Sequence, residues 1–122
     1  MAWSYLIDRA ARRAVATVTA TVHGHELAAM MESVFRDPDW QAGFDVVWDG
    51  SGVTELLLEP DDIPKLVRVQ AHYAAVRPGR EIVFVTRSLD RAMAQIYAVR
   101  MKALGHPVHV CRTQAEVDHV LT

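Results

Sequence analysis

Residues Phe44 to Ile63, FDVVWDGSGVTELLLEPDDI, begin apolar, turn acidic, and end in what reads as the start of a helix. The run Phe44 to Trp48 is interrupted only by Asp45, so it has almost no polar side to offer to water. A strand of that kind belongs inside a sheet covered on both faces, which is the usual setting of parallel strands. Parallel neighbours must be joined by long crossovers, normally helices, so this segment restricts the chain to an α/β fold. In that class, sites tend to lie beyond the C-terminal ends of the strands. Between Asp39 and Asp62 there are seven carboxylates (Asp39, Asp45, Asp49, Glu55, Glu59, Asp61 and Asp62) with no Lys or Arg among them.

The flanking segments supply the rest of the alternation. Trp3 to Ile7 reads as a first short strand, followed by a polar turn. Ala14, Ala16, Val18, Ala20 and Val22 alternate with Val15 and three threonines, a period of two that predicts a second strand antiparallel to the first. After Gly24 the period becomes 3.6, with Leu27, Met30, Met31, Val34 and Phe35 on one stripe, and Asp37-Pro38-Asp39 ends that helix. Pro60 fits the first turn of a second helix, whose expected buried side is Ile63, Leu66, Val67, Gln70, Ala71 and Ala74. Ile82 to Val85 is wholly apolar and is expected at the centre of the sheet. Ser88 is the expected N-cap of a third helix with the stripe Leu89, Met93, Ile96, Tyr97 and Arg100. Pro107 to Cys111 reads as a fifth strand, and Thr113 as the cap of a short last helix. The expected fold is therefore one α/β domain over residues 1–122, order β-β-α-β-α-β-α-β-α, around a mixed, mostly parallel five-stranded sheet.

Charge is segregated along the chain. Between Lys65 and Arg112 there are nine basic residues against only Glu81 and Asp90, an asymmetry able to orient a partner. The net charge of -2 gives no reason to expect nucleic acid. With Cys111 alone, no intrachain disulfide can form, and its apolar neighbours predict a buried, inert thiol. No apolar run approaches the roughly 20 residues of a membrane span. MAWSYLIDRAARR carries its charge after its apolar piece, the reverse of a signal peptide, so a cytoplasmic location is expected.

The element order, the strand and turn Phe44 to Thr54, the helix start Pro60-Asp61-Asp62-Ile63 and the strand Ile82 to Val85 resemble the STAS domain family. Within it, the chain looks like the SpoIIAA-like proteins, relatives of anti-sigma factor antagonists. The resemblance implies a STAS-like fold and a non-enzymatic regulatory or protein-interaction role. In the regulatory members, a strand ending in Asp leads to a serine or threonine at the next helix start, which a partner kinase phosphorylates. Asp49 matches the strand end, and Ser51 and Thr54 fall in the expected loop. At the helix start this chain has Asp61-Asp62 and no hydroxyl, so it resembles a subgroup without the phosphorylatable serine.

Other residue patterns point to no catalytic set, metal or cofactor. Glu59, Asp61 and Asp62 suit the positive end of a helix dipole, and paired carboxylates do acid–base work only when their environments differ sharply. His23, His25 and Glu26 are the nearest approach to a metal signature, but a stable zinc site usually takes further ligands. Gly50-Ser51-Gly52 lacks the lysine and spacing of a phosphate loop. The expected interaction edge joins Asp49, Ser51, Thr54, Asp61 and Asp62 with Arg87, Ser88 and Arg91. It would serve a protein partner, and the exposed strand Trp3 to Ile7 offers a route to a homodimer. The alternative is a small-molecule or lipid-binding domain, with an apolar cavity between the first and third helices lined by Met30, Met31, Met93 and Tyr97.

Overall fold

The computed structural model describes residues 3–122. Its elements are β1 (Trp3–Asp8), β2 (Arg13–His23), α1 (Gly24–Arg36), β3 (Asp45–Leu57), α2 (Asp62–His72), a 3-10 turn (Ala74–Val76), β4 (Glu81–Phe84), α3 (Ser88–Ala103), β5 (Val108–Cys111) and α4 (Gln114–Leu121). The strands form one five-stranded mixed sheet in the order β1-β2-β3-β4-β5, with only β1 antiparallel to its neighbour. The α/β class and the element order match the expectation.

Sequential strand order has a geometric consequence. The three parallel crossovers all step in the same direction, so right-handed connections put α1, α2 and α3 on one face. Met30, Val34, Leu66, Tyr97 and Met101 form the main core there with Ala14, Ala16, Val46 and Trp48. On the other face α4 packs a smaller core of Val47, Ile82, Phe84, Cys111 and Val117. A bidentate fork holds that end together: the Arg80 guanidinium donates to both oxygens of Asp45, at 3.2 and 2.8 Å, and to the Val120 carbonyl at 2.7 Å. Across the sheet, the Tyr5 hydroxyl donates to Asp37 at 2.8 Å and ties β1 to the end of α1.

Five expectations need correction. The acidic turn after Trp48 is not a turn, because β3 continues to Leu57 and keeps pairing with β2. The centre of the sheet is β3, with β4 between it and β5. Pro60 precedes the second helix instead of entering its first turn, and Ala71 and Ala74 are exposed. In α3 the expected stripe holds only in part: Tyr97 is buried and Met93 half-buried, but Leu89, Ile96 and Arg100 face solvent, and the inner face is completed by Asp90, Ala94, Ala98 and Met101. Ser88 is not the cap, since Arg87 occupies that position without a side-chain hydrogen bond.

Beyond Asp49, β3 has lost β4 and runs with β2 as a two-stranded ribbon. Two register shifts, between Thr17 and Thr19 and between Ala20 and Thr21, rephase it. Each adds a residue on β3, so Gly50, Val53 and Leu56, spaced by three, all line the same apolar space. Ala20, expected in the apolar face, is exposed at the second shift with φ +60.

Candidate functional site

The ribbon is one wall of a cavity of about 100 Å³ on the three-helix face of the sheet. Val18, Val22, Val53 and Leu56 come from the ribbon, Leu27, Met30 and Met31 from α1, Ile63 and Leu66 from α2, and Met93, Ala94 and Tyr97 from α3. Trp48 and Val83 contribute from the sheet. Met30 and Met31 are buried, whereas Leu27, Leu56, Ile63 and Met93 are half-buried. The surface is almost wholly carbon. Asp90, in the first turn of α3, is part of the wall, but its two carboxylate oxygens are sealed from water and make no hydrogen bond; Arg87 Nε lies 3.7 Å away.

Two rings of this cavity are held from behind by a buried polar cluster. Glu81 is fully buried at the head of β4, and its Oε2 accepts from Trp48 Nε1 at 2.9 Å, Gln70 Nε2 at 3.1 Å and the Tyr97 hydroxyl at 2.6 Å. Its Oε1 is 2.9 Å from His106 Nε2. The proton positions follow from the donors. Gln70 also donates to the Tyr97 oxygen at 3.0 Å, so the Tyr97 proton points to Glu81. The indole N–H is donor only, so Oε2 is the acceptor in that bond. In the sequence Glu81 stands out only as one of two acidic residues between Lys65 and Arg112, which does not mark it as buried. A glutamine on the apolar stripe of α2 was the one available signal, because a buried amide demands partners.

Burial, then the Glu81 charge and the hydrogen bond to it, push the Tyr97 phenol well above its ordinary 10.0; the Gln70 hydrogen bond opposes this. A raised phenol value in the folded state stabilises the fold fully below pH 10.0, and that contribution is lost as pH rises beyond it. Of the three tyrosines, Tyr97 is therefore expected to stay un-ionised until the protein opens at alkaline pH. Phenolate absorbance at 295 nm, compared with Tyr97→Phe, checks this; a Tyr97 midpoint near 10.0 in the folded protein contradicts it.

The expected polar edge does not assemble. Asp49 Oδ1 accepts from the Ser51 amide and hydroxyl at 2.9 and 2.6 Å, a local turn-like pair set within a strand. Thr54 is exposed on the ribbon, and Asp61 pairs with Arg68 at 3.6 Å. Asp62 points inward: it is buried, accepts the Glu59 N–H at 2.6 Å, and packs where a Cβ on Gly24 would overlap its carboxylate. That places a negative charge at the start of α1, where the dipole favours it. Ser88 Oγ accepts from Arg91 at 3.4 Å, and Arg87 pairs with Asp90. Among the described residues, no hydrogen bond or salt bridge joins Asp49, Asp61 or Asp62 to Arg87 or Arg91. The physical reason is topological. A crevice at the strand ends opens where neighbouring crossovers leave for opposite faces, and α1, α2 and α3 all leave for one.

The histidines do not gather either. His23 and His25 stack at 5.5 Å, Glu26 accepts the His23 backbone N–H at 3.3 Å, His106 is buried on Glu81, and His109 is exposed. Among the described residues no three His, Cys, Asp or Glu side chains converge as a metal-ligand set. Cys111 is buried as expected, and burial followed by the Glu116 charge pushes its thiol up, away from the reactive thiolate.

Fold and site together define an α/β domain with an apolar cavity set against a buried carboxylate network. No protein-family model, curated protein or solved structure gives a significant match to the chain.

Proposed function

We propose that this chain is a non-enzymatic binding module whose ligand is a small, uncharged, apolar molecule. The observation that carries the reading is the cavity, with Met30, Met31, Met93 and Tyr97 among its walls. An engineered apolar cavity of about 150 Å³ binds benzene or xenon, so about 100 Å³ suits a ligand of that order or smaller. A whole lipid acyl chain is too large for it. The commitment of Trp48 Nε1, Tyr97 Oη and Gln70 Nε2 to Glu81 supports binding over catalysis, because none of these donors is free for a substrate.

The STAS-like reading is part of the proposal, supported by the element order. A STAS-type interaction role draws separate support from charge: Glu81 and Asp90 are both buried, so the exposed charges from Lys65 to Arg112 are all basic. A cytoplasmic setting belongs to the same proposal. Among the described residues no helix is long and apolar enough to cross a membrane.

Titration of the ¹⁵N- and methyl-labelled protein with benzene, indole and short alkanols tests the binding reading. Saturable shifts are expected at Met30, Val53, Met93 and Ala94. Shifts that are linear in ligand, or scattered over the surface, would remove it.

A further inference from the structure

Helix α3 carries a second apolar stripe on the side away from the core. Leu89, Ala92, Ile96, Val99 and Ala103 follow one another at spacings of three and four, the a/d seam of a helix-packing surface. All five are exposed, Leu89 by 57%, Ile96 by 45% and Val99 by 68%. Helical periodicity reports a stripe without saying which way it faces, so Leu89 and Ile96, expected in the core, lie outside it. The inner face is satisfied separately by Ala94, Tyr97, Ala98 and Met101, so the outer one is surplus to folding.

The charges beside the stripe decide what fits it. At 3.6 residues per turn, Arg100 borders it on one side, and Lys102 and Arg91 lie on the other. The helix's one acidic residue, Asp90, is buried, so its exposed charge is all basic. A second copy of the chain would set basic flanks against basic flanks. Membrane-surface helices rely on bulky Trp, Phe and Leu, whereas this seam is narrow and includes two alanines. Those small positions leave a shallow groove that the ridge of another helix can enter. The geometry points to the outer face of α3 as a docking surface for a partner's amphipathic helix with acidic flanks.

The test uses the full chain and a synthetic helical peptide with Leu at a and d and Glu at e and g, beside a version with Lys at e and g. Fluorescence anisotropy is expected to show binding of the Glu peptide at least about tenfold tighter than the Lys peptide, weakened by salt. Amide shifts should follow Leu89, Ile96 and Val99. Val99→Asp should lose binding by about tenfold or more, with its circular dichroism unchanged because the position is exposed. Arg100→Glu with Lys102→Glu should reverse the preference, a readout independent of any packing defect. No binding, or equal binding of the two peptides, would overturn the proposal. So would capture of anionic phosphatidylglycerol vesicles through the stripe, or self-association that Val99→Asp abolishes.

Discussion

Glu81→Ala is expected to leave the protein largely unfolded at ambient temperature. The carboxylate satisfies Trp48, Gln70 and Tyr97 through one oxygen and His106 through the other, all at sites almost closed to water. Its removal strands Trp48 Nε1, the Tyr97 hydroxyl and His106 Nε2 in the core, while Gln70 keeps the Tyr97 oxygen, and each buried orphan costs about 1–3 kcal/mol. A domain of this size holds only about 5–15 kcal/mol in total, so the sum approaches the whole stability. Glu81→Gln should cost less, because its amide oxygen still accepts from the Oε2 donors. Urea unfolding followed by Trp fluorescence measures both, with Trp48 as a direct reporter. A loss below about 1 kcal/mol in the alanine variant would mean that the donors find other partners and that the network does not hold the core.

Ala94→Leu is the second large effect, and it acts on binding. Ala94 is buried on α3 and faces the cavity, so the added carbons enter empty space. Benzene binding is expected to fall by more than about tenfold. Stability should rise, since unfilled core volume costs about 24 cal/mol per Å³. The gain is bounded by about 2 kcal/mol, because strain from imperfect fit offsets part of it. Binding lost together with stability would indicate a distorted fold instead of a filled cavity. Unchanged benzene affinity would place the ligand elsewhere.

The two variants separate scaffold from site. Tyr97 and Trp48 line the cavity while their polar atoms are anchored on Glu81. The network therefore fixes the floor of the cavity, and a ligand need contact only carbon. Such pre-organisation reduces the ordering cost of binding.

Sequence alone determined the α/β class, the order of the elements and the apolar stripe of α1, and it offered Met30, Met31, Met93 and Tyr97 as cavity lining only under the alternative ligand-binding reading. These follow from short-range periodicity, which backbone geometry imposes wherever a strand or helix forms. Only the tertiary structure decided the length of β3, because bulges that rephase a ribbon depend on pairing with β2 and leave no periodic trace. It also decided which stripe of α3 faces inward, since two apolar faces are equivalent until a sheet covers one. Asp62 and Glu81 are the sharpest cases. A carboxylate reads as surface until a fold brings a helix start, or four hydrogen-bond partners from distant segments, to the place where it is buried.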